Sequence, residues 1–185
     1  MGKAVQAQQD FWFRNDDGSI TAATFMGAQG SNQSISVDTK FRLRVLTEET
    51  AGGTGACAAH LFYSYNSGAY TTLTGASTHV QEVDDDNSIA DNASSGASAQ
   101  LTYAGTYLAG RYSDDGAAAT NVVISSQYTE FEFCLQVIGT AVANGDTIDF
   151  RVYNGTTALD SYTVSPRLTV VKAAAAPRRI FITHS

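Results

Sequence analysis

The residues best suited to chemistry in this chain are its acidic runs, its three histidines and its aromatics. Asp84-Asp85-Asp86-Asn87 has the oxygen-rich character of a calcium loop. An EF-hand needs alternating ligands, a glycine at the sharp bend and a bidentate glutamate at its end. Ile89 takes the bend position counted from Asp84, and no Glu follows in register. The run is read as a solvated acidic loop, with an irregular calcium site as the alternative. His60, His79 and His184 stand in no metal-ligand spacing with cysteine or with one another. No Gly-x-Ser-x-Gly elbow occurs, and no Cys–His arrangement follows from spacing. The carboxylate pairs Asp16-Asp17 and Asp114-Asp115 each run into a glycine. A turn explains them more simply than glycoside hydrolysis does, because Asp tolerates left-handed geometry and caps turn amides. No catalytic, cofactor or metal site is expected, and the chain is expected not to be an enzyme.

The aromatics leave a binding role open. Trp12, Tyr70, Tyr103, Tyr107 and Tyr112 could form a platform on which the apolar CH face of a sugar stacks. Core packing or subunit contact is the simpler reading. Trp12, Tyr107 and Tyr112 are the ones taken as exposed contacts.

The elements that must position these residues read as strands and turns from end to end, with no convincing helix. Gln9 to Arg14 is a short aromatic strand, Asn15-Asp16-Asp17-Gly18 a turn and Ile20 to Phe25 its return strand, since Asp-Gly between β-prone runs signals a hairpin. Lys40 to Thr47 alternates, with Phe41, Leu43 and Val45 facing in and Arg42 and Arg44 facing out. Ala51 to Gly55 is a linker. Ala59 to Tyr65 carries apolar bulk on both faces, as a central strand does. Asn66-Ser67-Gly68 turns into Ala69 to Thr74, and His79 to Val83 is a further short strand. Asp84 to Gln100 is the longest irregular stretch. Leu101 to Arg111 and Asn121 to Ser125 flank a second Asp-Gly turn. Glu130 to Ile138 is a strong core strand, Asp146 to Tyr153 and Thr157 to Val164 form a hairpin about Asn154-Gly155, and Arg167 to Val171 follows Pro166.

The chain has 185 residues, enough for one β-domain with a sizeable core. Apolar residues make up 43% of it, which places it among folding and not disordered sequences. The fold expected is an all-β, two-sheet antiparallel sandwich, Ig-like or jelly-roll-like, spanning 10–172. Extended arms at 1–9 and 173–185 would flank it.

A net charge of −7 argues against nucleic acid as a partner. No stretch reaches the roughly 18 apolar residues of a transmembrane helix, so no membrane is expected. Met1 to Gln9 has no apolar core of a signal peptide, and Gln6 breaks the myristoylation pattern. Synthesis in a cytoplasm is expected. After Asp160 there is no acidic residue, while Arg167, Lys172, Arg178 and Arg179 follow. This reads as a solvated basic end or as one that docks on an acidic neighbour. Along Glu130–Val137, alternation puts Cys134 on the face opposite Phe131, Phe133 and Leu135, which argues against a disulfide with Cys57.

Several segments in order carry a resemblance. They are Phe11-Trp12-Phe13-Arg14-Asn15-Asp16-Asp17-Gly18-Ser19, Phe41-Arg42-Leu43-Arg44, Leu108-Ala109-Gly110-Arg111-Tyr112-Ser113-Asp114-Asp115-Gly116, Tyr128-Thr129-Glu130-Phe131-Glu132 and Asn144-Gly145-Asp146-Thr147-Ile148-Asp149-Phe150-Arg151-Val152. Together, over roughly residues 10–171, they resemble β-sandwich modules of tailed-bacteriophage virions, found among capsid decoration and tail-associated proteins. The resemblance implies a non-enzymatic, often oligomeric virion component, with a major capsid protein or another virion protein as partner and self-association. A capsid decoration (cement) protein is the first expectation. A tail or fibre adhesin module binding host glycans, and a filament subunit exchanging terminal strands, are the alternatives. The segment 178–185 lies outside the resembling pattern. Its apolar Ile180-Phe181-Ile182 would anchor on a neighbouring subunit, with Arg178 and Arg179 setting register.

Overall fold

The structure is a computed structural model that describes residues 3–174, so the docking residues Arg178, Arg179, Ile180, Phe181 and Ile182, and His184, lie outside the described residues. The described chain forms fourteen strands and no helix: β1 (Gln6–Asn15), β2 (Gln33–Ser36), β3 (Lys40–Glu49), β4 (Thr54–Cys57), β5 (Ala59–Tyr65), β6 (Thr71–Thr72), β7 (Val80–Glu82), β8 (Tyr107–Ser113), β9 (Val122–Ser125), β10 (Tyr128–Val137), β11 (Thr147–Asn154), β12 (Thr157–Ala158), β13 (Ser161–Tyr162) and β14 (Arg167–Val171). One sheet runs β13-β1-β3-β10-β7, with β8 also on β10. The other runs β2-β14-β11-β5-β6, with β12 on β11, and β4 and β9 form a separate ribbon.

Period-two alternation explains why these two sheets face each other. Phe41, Leu43 and Val45 of β3 and Phe131, Phe133, Leu135 and Val137 of β10 point to one side. Leu61 and Tyr63 of β5 and Ile148, Phe150 and Val152 of β11 meet them in one buried cluster. The rings of Phe13 and Phe150 approach across this interface at 6.5 Å. Truncating one such buried Phe to Ala costs about 3–5 kcal/mol, so this layer dominates stability. The fold is an all-β, two-sheet sandwich.

The structure departs from the sequence reading in several places. Pairing is mostly antiparallel, but β1–β13, β10–β8 and β14–β2 are parallel. Residues 6–9 are not an arm: β1 begins at Gln6, and Gln6, Ala7 and Gln8 are buried. The two glutamines bind backbone groups of other segments. Gln8 Nε2 donates to Val164 O at 2.9 Å, its Oε1 accepts from Val152 N at 2.8 Å, and Gln6 Nε2 donates to Ala56 O at 3.1 Å. Ile20–Phe25 forms turns in place of a return strand, with one bridge between Arg14 and Phe25. The supposed linker at 51–55 runs into β4, which pairs with β9. At Asn66-Ser67 both residues take positive φ, 47° and 62°, as a tight hairpin turn requires.

Candidate functional site

Behind the inter-sheet core, the other face of the first sheet is also buried, and it is ionic. Arg14, Arg42 and Arg44, expected to face water in the case of the latter two, are each 0% exposed, as are Glu130 and Glu132. Register brings them together. Arg14 of β1 opposes Arg42 of β3, and Arg44 of β3 opposes Glu132 of β10. Two arginines in opposition repel, and Glu132 resolves this by serving as a hub. Its carboxylate accepts from Arg14 Nη1 at 2.7 Å and Arg44 Nε at 2.5 Å, and lies 3.5 Å from Arg42 Nη1. Glu130 accepts from Arg44 Nη1 at 2.8 Å and from the amides of Gln100 and Leu101 at 3.0 Å.

The same guanidiniums tie down the loops that roof them. Arg14 donates to Ile20 O and Ala23 O at 2.6 and 2.7 Å, and Arg44 donates to Ile20 O and Ser95 O, each at 3.0 Å. Arg42 grips Asp16 through Nε at 2.8 Å and Nη2 at 2.5 Å. Asp16 in turn accepts from Asp86 N at 2.8 Å and Asn87 Nδ2 at 3.0 Å. The turn at 16–18 and the acidic loop are therefore clamped to each other and to the sheet. Burial lowers the Arg14 pKa more than Glu132 restores it. Burial also pulls on Arg42 and Arg44, but Asp16 and Glu132 for the first, and Glu132 and Glu130 for the second, leave both above the usual value. All three are cations in the folded state.

The aromatics expected to share a platform are dispersed. Tyr112 is a correction: it is 0% exposed, packed under the Arg42 guanidinium 5.7 Å from its ring centre. Trp12 is half-buried, stacked on Phe25 at 3.8 Å, and donates to Gly27 O at 3.0 Å. Tyr107 is half-buried and donates to Gly96 O at 3.0 Å. Trp12, Tyr103 and Tyr107 pack with Leu46, Leu101 and Tyr128 in a small apolar cluster beside the ionic layer. Tyr70 belongs to the outer face of the second sheet. There the Arg151 guanidinium sits between the rings of Tyr70 and Tyr162, 4.5 and 4.4 Å from their centres, and Phe62 stacks on Tyr153 at 3.8 Å.

The acidic run is only partly solvated. The Asp85 side chain is buried, lies 3.8 Å from Arg42 and accepts from the amides of Asn87 and Ile89 at 2.6 and 3.0 Å. Asp86 is exposed and pairs with Lys40 at 2.5 Å. Among the described residues no three His, Cys, Asp or Glu side chains are grouped so as to hold a metal ion. His60 Nε2 faces the carbonyl oxygens of Leu73 and Gly116 at 3.3 and 3.2 Å, and His79 stacks on Tyr65 at 3.8 Å. Cys57 belongs to the inter-sheet core and Cys134 faces the ionic layer; both are free and buried.

The ionic layer was legible in one respect. Arg42 and Arg44, and Glu130 and Glu132, are each two residues apart on strands, which places each pair on one face. Their complementary signs could have suggested neighbouring strands. Nothing local shows that loops would bury that face.

The fold and this layer define an all-β sandwich module with an internal ionic clamp. Comparison of the chain with protein-family models, with curated proteins and with solved structures gives no match.

Proposed function

We propose that the chain is a non-enzymatic structural protein of a tailed-bacteriophage virion, acting as a capsid decoration protein that reinforces the head through contacts between subunits. The observation that carries this reading is where the resembling segments go. Arg14 and Asp16, Arg42 and Arg44, Tyr112, and Glu130 and Glu132 all belong to the clamp that fixes the loops to the sheet. Arg14, Asp16, Arg42, Arg44, Glu130 and Glu132 serve architecture and their charged side chains are withheld from solvent, as suits a part selected for a rigid surface. Its partners are the major capsid protein and further copies of itself, and many weak contacts repeated by symmetry would hold the shell. Residues 173–185, with Ile180, Phe181 and Ile182 as anchors, supply one such contact.

Co-sedimentation of the purified chain with heads of its parent phage tests this. Saturable binding at a fixed number of copies per head, lost on deleting 173–185 from a chain that stays folded, is the expected result. Absence of binding by the full chain overturns the reading, and full occupancy by the truncated chain overturns the role of the tail.

A second reading, a tail-associated module binding host glycans, is favoured by the shelf that Tyr70, Arg151, Tyr153 and Phe62 form with Tyr162 of β13 at the edge of the first sheet. Glycan-array binding that disappears in Tyr70→Ala would move the assignment there.

A further inference from the structure

Glu82 differs from the carboxylates of the clamp. It is 2% exposed, and neither of its carboxyl oxygens has a hydrogen-bond partner. Its position follows from register. β8 lies parallel to β10 along Tyr128–Phe133, and β7 lies antiparallel to it along Leu135–Val137, on the edge away from β3. The C-terminal ends of β7 and β8 therefore meet head-on at Cys134, and the outermost strand of the sheet is broken there. Val83 N donates to Cys134 O at 3.1 Å at this break. Glu82 opposes Leu135 and Ser113 opposes Phe133. Opposed residues share a face, so both side chains point between the sheets, and the Ser113 hydroxyl is also without a partner.

The surroundings offer Glu82 no counter-ion. The chain leaves β7 through Asp84 and Asp85 and leaves β8 through Asp114 and Asp115. Asp91, with one buried unpartnered oxygen, is held alongside by Asn92 N to Tyr112 O at 3.0 Å and Tyr112 N to Ala93 O at 2.9 Å. Arg42 lies on the opposite face, engaged with Asp16 and Glu132. From the second sheet's side, the loop Thr74–Ser77 approaches the Glu82 carbonyl at Gly75 and carries no charge. His60 directs its Nε2 to Leu73 and Gly116. An ionised carboxylate in such a place is strongly disfavoured, and the group neutralises by keeping its proton.

We propose that Glu82 is a proton latch: as a carboxylic acid it closes the junction of β7 and β8, and loss of its proton frees β7 from β10. The protonated carboxyl needs no counter-ion, and it carries an O–H donor for which Ser113 Oγ, on the same face of the junction, is an acceptor. β7 is only three residues long, so the ladder that resists opening is short. Opening leaves the Leu135–Val137 edge of β10 unpaired and able to accept another strand. Burial, joined by the charges of Asp115, Asp114 and Asp91, outweighs the opposing pull of the neighbouring Ser113 hydroxyl and holds the Glu82 carboxyl well above the usual range. The device is independent of whether the chain decorates a virion.

Amide hydrogen exchange of the full chain across pH 5–9, in wild type and Glu82→Gln, tests it. In wild type, exchange at 80–83 and 135–138 accelerates beyond the intrinsic rate, by up to about tenfold per pH unit, from the exposed Glu value of about 4.3 up to the raised folded value, and the excess levels off above it. Glu82→Gln, which keeps the neutral shape, follows the intrinsic slope alone. An intrinsic slope in wild type, or an excess slope that survives in Glu82→Gln, overturns the proposal. Should the variant not fold, the carboxyl carbon resonance of Glu82 in wild type decides: a neutral group at pH 7 supports the latch and an ionised one at pH 6 overturns it.

Discussion

Arg14 and Arg42 lie directly opposite each other on neighbouring strands, fully buried, and the single carboxylate of Glu132 contacts both. The pair is tolerable only because that carboxylate is shared, and Arg44 completes the set. Removing one partner of a buried ion network leaves charge without compensation, whereas an exposed pair is screened and contributes little.

Glu132→Gln is therefore expected to destabilise the domain by about 3–5 kcal/mol. Asp86→Asn, which removes the partner of Lys40 at the surface, is expected to cost less than about 1 kcal/mol. Urea denaturation of both variants checks this, and equal midpoints would show that the buried network carries no special weight.

Glycine positions separate two kinds of strain. A Cβ at Gly110 would meet Glu130 O at 2.2 Å and Thr129 Oγ1 at 2.7 Å, at the bulge where β8 pairs with β10. Gly145 has φ of +88° but nothing within 4 Å of a Cβ. Gly110→Ala is expected to cost more than about 2 kcal/mol, since neighbouring backbone must move. Gly145→Ala is expected to cost about 1 kcal/mol from its backbone conformation alone. Thermal melts of the two variants check the order.

Stability should fall as pH rises from about 4 to about 6. Burial, reinforced by Asp91, Asp85 and Asp84, pushes the Asp114 carboxyl up to about 6. A carboxyl whose folded pKa exceeds its unfolded value of about 3.9 favours the folded state most below that value, and the advantage is lost on passing through the folded pKa. Asp114→Asn should flatten that part of the profile. Asp17, held down by the Thr24 hydroxyl, and Asp146, held down by the Tyr65 hydroxyl and Asn66, act in the opposite sense. Their contribution is present above the unfolded value and is lost as pH falls through the folded one. Denaturation midpoints across pH 3–8 should thus pass through a maximum.

Both thiols should resist modification in the native state. Burial pushes Cys57 and Cys134 each up to about 12, so almost no thiolate is present at neutral pH. A thiol reagent at pH 8 should label neither residue natively and both in denaturant. Rapid native labelling of Cys134 would show that the loops over the ionic layer open readily.

Much of the fold was written into local pattern. The alternation along 41–45 and 130–138 located two central strands and their inward faces, because side-chain direction in a strand repeats every two residues, and the β-prone runs at 59–65 and 146–153 located two more strands. Asp-Gly and Asn-Gly pairs located turns, because few residues accept their backbone angles. What alternation gives is a side and not a covering. Whether the outward side of β3 and β10 meets water depends on loops from residues 16–25 and 84–101, distant in sequence, which fold back and bind Arg14, Arg42 and Arg44. The burial of Tyr112 follows from the same roof. The strand at Gln6–Gln9 was hidden because its buried side chains are polar and are satisfied by partners near residues 56, 152 and 164. The meeting of Glu82 and Ser113, thirty-one positions apart, depends on two strands sharing one edge of β10, a choice made only when the sheet assembles.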